Sequence, residues 1–357
     1  MPDAPAPPTD LHPRRVCILK PSSLGDIVHA LPALSALRAL WPDVHLAWVV
    51  NRGLRGLLDG HPELDEVIPF DRSKARPTPR GAASAGRFLA ELRGRRFDLV
   101  VDLQGLLRSG VMAWASGAPV RVGAADAREG APRFYTHGVP PVAPEPHAVD
   151  RLLAIPAALG ADVARPRFVL PPWADARRWA RATLAGVPRP RLVLNVGARW
   201  LTKRWPPEHF AEVARRAVLR RGAGLVLVGA PEDRPLVAAL CARLGRLPRL
   251  DLCGKSTLPQ LAMIAAESDV FLSNDTGPLH LAAAAGAHVV GVHTCTSAAL
   301  TGPYGPRAVA VESAIWCAGS CVKTCPRLDC MAELTPDRVW AAVSAQLDAA
   351  AMGASAA

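Results

Sequence analysis

Short apolar runs alternate with longer stretches in which apolar residues recur at helical spacing, and the alternation runs through the chain twice. In the first half, runs at 15–20, 45–50, 67–70 and 97–103 read as buried parallel strands. Between the first two, 26–40 reads as an amphipathic helix, with Ile27, Leu31, Leu34, Leu37 and Leu40 near helical spacing and Pro32 in its second turn. The second half restarts the pattern, with strands at 191–196, 225–229, 269–273 and 288–292 and helices at 207–220, 258–266 and 277–285. A last helix, 336–351, follows a Thr335 cap, with Pro336 at its first position. Strands alternating with helices predict βαβ units and parallel sheets, an α/β fold of two Rossmann-like domains facing each other.

Punctuation divides the chain further. Residues 76–85 and 139–146 are rich in Pro and read as surface loops, and the interdomain linker falls in 166–172, where Pro171-Pro172 precedes a new helix. Residues 1–13 are Pro/Ala-rich, resemble neither a signal nor a transit peptide, and are expected to be disordered. The division is therefore a tail over 1–13, an N-terminal domain over 14–170, a C-terminal domain over 171–335 and a final helix over 336–352.

Composition narrows the class. At 357 residues with 50% hydrophobic and 20% charged residues, the chain is globular and has room for two domains. The net charge of +11 favours anionic partners. Without zinc-finger spacing or an RNP-like aromatic motif, nucleic acid is the weaker partner class, and no nucleic-acid role is expected. The longest apolar candidate for a membrane span, 279–292, is too short and contains His280 and His288. A cytoplasmic protein is expected, with peripheral membrane contact left open.

Two polar loops stand where a strand ends and a helix begins: Lys20-Pro-Ser-Ser-Leu-Gly-Asp26 and Asn274-Asp-Thr-Gly-Pro-Leu-His280. Open α/β sheets bind ligands at that position, and a helix start suits phosphate. Thr276 offers a hydroxyl and Gly277 lets backbone approach a ligand, so the second loop reads as a diphosphate cradle or, equally, as a helix cap. It lacks the GxGxxG fingerprint of dinucleotide sites. Asp26 reads as a general base or as an N-cap, and the residues alone favour the cap. Lys203 could neutralise a leaving diphosphate, although a lone Lys203-Arg204 pair is more often a solvated basic loop. Glu232 or Asp233, on the same sheet edge, could accept hydrogen bonds from a ribose.

Eight cysteines are expected to be reduced thiols. Cys317, Cys321, Cys325 and Cys330 are clustered, but their spacing matches zinc sites only loosely, and structural thiols are the preferred reading.

Together, Lys20-Pro-Ser-Ser-Leu-Gly-Asp-Ile-Val-His-Ala-Leu-Pro32, Asp102-Leu-Gln-Gly105, His147-Ala-Val-Asp-Arg151, Lys203-Arg-Trp-Pro206 and Asp275-Thr-Gly-Pro-Leu-His280 resemble glycosyltransferase family 9, the heptosyltransferases of lipopolysaccharide core synthesis. The likeness spans about 15–340. It implies a GT-B fold, two Rossmann-like domains with the active site in the cleft and the last helix packed back on the N-terminal domain. It implies inverting, metal-independent, cofactor-free transfer of heptose from an ADP-heptose donor to the Kdo region of the inner core. By the same resemblance Asp26 is the base and Lys203 holds the diphosphate. Glu232, Asp275, Thr276, Gly277 and His280 bind the donor, while Ser22, Ser23, Arg128, His147 and Arg151 lie on the acceptor side. Residues 124–135 and 147–151 look like the first-heptose enzyme, and the cysteine tail more like the second. The loop Ala198-Arg199-Trp200 lacks the hydroxyls expected beside the donor phosphate. Rival readings are a family 9-like enzyme with another donor, a nucleotide-sugar 2-epimerase, and a non-catalytic nucleotide-sugar-binding protein.

Overall fold

The computed structural model describes residues 5–71 and 78–355. The chain divides into two compact units, Met1–Pro172 and Trp173–Ala357.

The N-terminal unit is built on β1 (Arg15–Leu19), β2 (His45–Asn51), β3 (Glu66–Phe70), β4 (Leu99–Asp102), β5 (Val120–Ala124) and β6 (His137–Val139). Its helices are α1 (Leu24–Leu40), α2 (Pro79–Gly94), α3 (Leu107–Ala115) and α4 (Ala148–Ala158). All strands are parallel, in the order β3-β2-β1-β4-β5-β6. Val16, Cys17, Ile18 and Leu19 are fully buried, as a strand covered on both faces requires. The helix after β1 is not amphipathic as expected. Nearly every residue from Gly25 to Leu37 is buried, and α4 packs on α1.

The C-terminal unit repeats the plan with β7 (Arg191–Asn195), β8 (Gly224–Val228), β9 (Arg249–Asp251), β10 (Val270–Asn274), β11 (Val289–His293) and β12 (Ala308–Glu312). Its helices are α5 (Ala174–Leu184), α6 (Pro207–Arg221), α7 (Arg234–Leu244), α8 (Leu258–Ala266), α9 (Gly277–Ala284), α10 (Ala298–Thr301), α11 (Asp329–Glu333) and α12 (Pro336–Ser355). The order is β12-β11-β10-β7-β8-β9, again all parallel. In both sheets the first strand lies between the second and the fourth, which is the doubly wound Rossmann order.

Two further expectations are corrected. The stretch 76–85 is not a loop from Pro79 onward. The Thr78 hydroxyl accepts the Gly81 N–H and starts α2, whose early turns carry too few apolar residues to show a periodic signal; 76–77 lie outside the described residues. The tail is anchored from residue 5: the Gly138 N–H donates to the Pro5 carbonyl, the Trp41 indole donates to the Leu11 carbonyl, and Pro7 is buried. Backbone carbonyls pin this segment without regular structure; residues 1–4 lie outside the description. The last helix, α12, belongs to the C-terminal unit. Its apolar face, Val339, Trp340, Val343 and Leu347, is buried in the core of the C-terminal unit with residues of α6, β10 and β11.

Candidate active site

In a doubly wound sheet the loops leaving the first and fourth strands diverge to opposite faces, and a crevice opens at their C-terminal ends. In the N-terminal unit this is the β1/β4 junction, where Leu19 and Asp102 are register partners. A cavity of about 340 Å³ opens there, lined among others by Lys20, Asp26, His29, Gln104, Arg128 and Arg151.

Asp26 lies in the first turn of α1 and accepts the Ser23 N–H and hydroxyl on Oδ2, at 2.8 and 2.7 Å. Burial raises its pKa, but the Lys20 charge and the two Ser23 bonds outweigh it and hold the carboxyl below its ordinary value. Ser23, not Asp26, is the N-cap of α1; Asp26 at the third helical position returns the capping-box bond to it, and its carboxylate also lines the cavity. Lys20 is buried and donates from Nζ to the Leu103 carbonyl at 2.8 Å. Desolvation lowers its pKa, with Asp26 and Asp102 pulling the other way. Asp102 is buried, accepts the Gln104 and Gly105 N–H groups on Oδ1 at 2.8 and 3.1 Å, and accepts the Tyr135 hydroxyl on Oδ2 at 2.7 Å. Burial nevertheless leaves its pKa raised.

Of the other residues expected on the acceptor side, Arg128 and Arg151 line this cavity, whereas Ser22, Ser23 and His147 do not. The Ser22 N–H donates to Gln104 Oε1 at 3.2 Å. His147 caps α4 by accepting the Val149 N–H on Nδ1, and its ring stands edge-on to His29 at 5.6 Å. Arg128 is tied to Gly105 through its backbone, and Arg151 pairs with Asp126 at 2.9 Å on the exposed rim.

In the C-terminal unit the β7/β10 junction carries the second constellation; Asn195 and Ser273 are register partners there. Asp275, 3% exposed, is its centre. Oδ2 accepts Lys203 Nζ at 2.6 Å and the Thr296 hydroxyl at 2.7 Å; His280 Nε2 lies 3.5 Å from Oδ1 and His293 Nδ1 3.9 Å from Oδ2. Burial raises the Asp275 pKa, but the His280 hydrogen bond and the His293 and Lys203 charges hold it far below the carboxylate range. His293 is fully buried, its pKa lowered by desolvation, and its Nε2 has no partner among the described residues. Thr276 caps α9, and Asn195 Nδ2 donates to its hydroxyl at 3.2 Å. Gly277 opens the helix, so its N–H belongs to the free first turn. Lys203 ends a single 3-10 turn, Leu201–Lys203, and rests 4.7 Å from the centre of the Trp200 ring.

Glu232 and Asp233 separate clearly. Glu232 is exposed on the turn after β8, whereas Asp233 accepts the Ala230 N–H at 2.9 Å and lies against Gly197 and Gly229. A Cβ on Gly197, just past the end of β7, would stand 2.2 Å from that carboxylate, so a larger residue there forces Asp233 to shift. Among the described residues no group of three or more His, Cys, Asp or Glu side chains is arranged to hold a metal ion. All eight cysteines are free thiols.

Sequence reasoning gave no role to Lys20, His29, Asp102, His293 or Thr296. Lys20, Asp102 and His293 stand at or just past the C-terminal end of a strand, a position that by itself marks a candidate in this fold.

Two doubly wound sheets, each with polar and charged groups gathered at its switch point, are the two Rossmann-like domains of the GT-B fold class. The model of glycosyltransferase family 9 (heptosyltransferase) matches residues 85–331. Lipopolysaccharide heptosyltransferase 1 of Pseudomonas aeruginosa is 33% identical over 320 residues, 87% of each chain. Among solved structures, Escherichia coli heptosyltransferase WaaC with ADP superposes with a TM-score of 0.73 at 26% identity, covering 93% of this chain and 99% of that one. The family 9 glycosyltransferase of Veillonella parvula shares the fold with a TM-score of 0.81 at 23% identity, over 94% and 97%. The chain belongs to glycosyltransferase family 9.

Proposed function

We propose that the protein transfers heptose from ADP-heptose to the Kdo region of the lipopolysaccharide inner core, with inversion at the anomeric carbon. The observation that carries the donor half is the pair of half-buried Lys203 and buried Asp275 beside the start of α9, at the switch point of its sheet. There the donor diphosphate would meet Lys203, the Thr276 hydroxyl and the N–H groups around Gly277, with Asp275 and His280 ordering the pocket and Glu232 reaching the ribose. The acceptor half rests on Asp26 in a cavity bearing Lys20, Arg128 and Arg151, cations suited to the carboxylates and phosphates of that acceptor.

In this reading Asp26 takes the proton of the acceptor hydroxyl as its oxygen bonds to the anomeric carbon, while the bond to ADP breaks on the opposite face. Asp26 is ionised at neutral pH and so free to accept a proton. Lys203 and the α9 amides stabilise the charge that develops on the leaving diphosphate. No metal ion is assigned a role, and undiminished transfer in EDTA tests that point.

The acceptor is membrane-anchored, so the enzyme is read as working peripherally at the cytoplasmic face of the inner membrane. Among the described residues no helix is long and apolar enough to cross a membrane. Leu107 and Trp114, exposed and seven residues apart on α3, start two residues beyond the cavity-lining Gly105 and suit contact with a lipid surface. Product analysis with ADP-heptose against UDP- and GDP-sugars tests the donor. Transfer from ADP-heptose alone is expected; turnover of another nucleotide sugar in its place would replace this reading.

A further inference from the structure

The cysteine-rich loop that follows β12 does more than fill space. The Cys321 N–H donates to the Cys295 carbonyl at 2.8 Å, the Thr202 hydroxyl donates to the Val322 carbonyl at 2.6 Å, and the Cys295 thiol lies 3.4 Å from that same hydroxyl. These bonds strap residues 321–322 onto the turn whose last member is Lys203. The next residue along the strap is Lys323, whose Nζ lies 5.3 Å from the centre of the Trp200 ring. Lys203 Nζ uses the same ring at 4.7 Å. One indole therefore holds two ammonium groups beside the anion pocket, at a position where the family resemblance leads one to expect hydroxyls.

The charge balance of the pocket says what the second ammonium is for. Lys203 is 2.6 Å from the buried Asp275 carboxylate, so before any donor arrives the two charges cancel. A diphosphate is anionic, and an ammonium already paired with a carboxylate attracts it less than an unpaired one would. Lys323 is exposed and, among the described residues, makes no ion pair. Trp200 can steady such a side chain through its ring face while leaving its three donors available.

We propose that Lys323, carried by the cysteine-rich strap and steadied on Trp200, is a second phosphate-binding residue of the donor pocket and supplies the positive charge that Lys203 spends on Asp275. This rests on the ADP-donor reading above. It also gives the cysteine-rich loop a task that needs no metal: the backbone bonds of Cys321 and Val322 fix where Lys323 stands.

The test is calorimetric binding of ADP, AMP and adenosine to the full-length protein and to Lys323→Gln, Lys323→Glu and Lys323→Arg. The residue is exposed, so folding should be unaffected, which circular dichroism checks. Loss of one exposed cation should weaken ADP roughly threefold in Lys323→Gln, and reversal of charge about tenfold in Lys323→Glu. Lys323→Arg should restore ADP affinity, adenosine should bind all four proteins alike, and added salt should weaken ADP less in Lys323→Gln than in wild type. Equal ADP affinity in wild type and Lys323→Glu would overturn the inference, as would an equal loss for adenosine. Wild-type protein that binds no ADP at all would remove the donor reading on which it stands.

Discussion

The Lys203 ammonium sits 2.6 Å from a carboxylate oxygen of Asp275, which is itself buried. Removing one partner of such a pair leaves the other charge desolvated and uncompensated. Lys203→Met is therefore expected to destabilise the C-terminal unit by about 3 kcal/mol, the low end for buried pairs because Thr296 and His280 still serve Asp275. Lys203→Met combined with Asp275→Asn should recover part of that loss. Urea denaturation of the two variants decides it: a double variant less stable than the single would show that the pair is not the source of the effect.

Stability should fall on acidification in two stages. Burial lowers the pKa of His61, His209 and His293, so the unfolded chain binds protons that the folded chain refuses. For these groups stability rises with pH up to about 6.5 and is lost below it. Asp275 and Asp26 are depressed carboxylates, whose contribution is full above the ordinary carboxylate range and lost below it. The urea midpoint should drop between pH 7 and 5 and again below about pH 4. A flat profile from pH 7 to 5 would mean the three histidines are not held neutral.

Tyr135→Phe removes the hydroxyl that reaches Asp102 Oδ2 at 2.7 Å and leaves a buried carboxylate oxygen short of a donor. A cost of about 1–3 kcal/mol is expected. Because Asp102 lies under the acceptor cavity, the KM for acceptor should rise while donor affinity stays constant. A rise in donor KM instead would show that the effect spreads beyond the N-terminal unit.

Gly197→Ala places a methyl where the Asp233 carboxylate now lies, 2.2 Å away. Overpacking of about 1–3 kcal/mol is expected, together with a displaced turn after β8 and weaker donor binding. Unchanged melting temperature and ADP affinity would show that Asp233 moves aside freely.

Much of this was legible in the residues. The buried strands β1, β2, β7, β8, β10 and β11 are continuous apolar runs, and a run of that kind in an α/β chain has few other readings. Asp26 and Asp275 stand out as polar residues at strand-to-helix junctions against apolar flanks, but the residues alone favour a cap for Asp26 and a solvated loop for Lys203, and their roles come from the family resemblance. The missed strands β5, β6, β9 and β12 are short and include Arg121, His137, Arg249 or Glu312, so they lack the run that marks a central strand. The start of α2 is hidden by Pro and Gly. Lys20 and Asp102 escaped because their importance comes from register: Leu19 and Asp102 are partners across strands far apart in the chain.

The account turns on Asp26 as the proton acceptor. Asp26→Asn keeps the size of the side chain and an oxygen for the Ser23 bonds, so ADP affinity and fold should match wild type, while heptose transfer should fall by at least about a hundredfold. Measuring transfer and ADP binding on the same preparation is the decisive experiment. Transfer lost with binding intact is the predicted result; transfer near the wild-type rate would contradict the account.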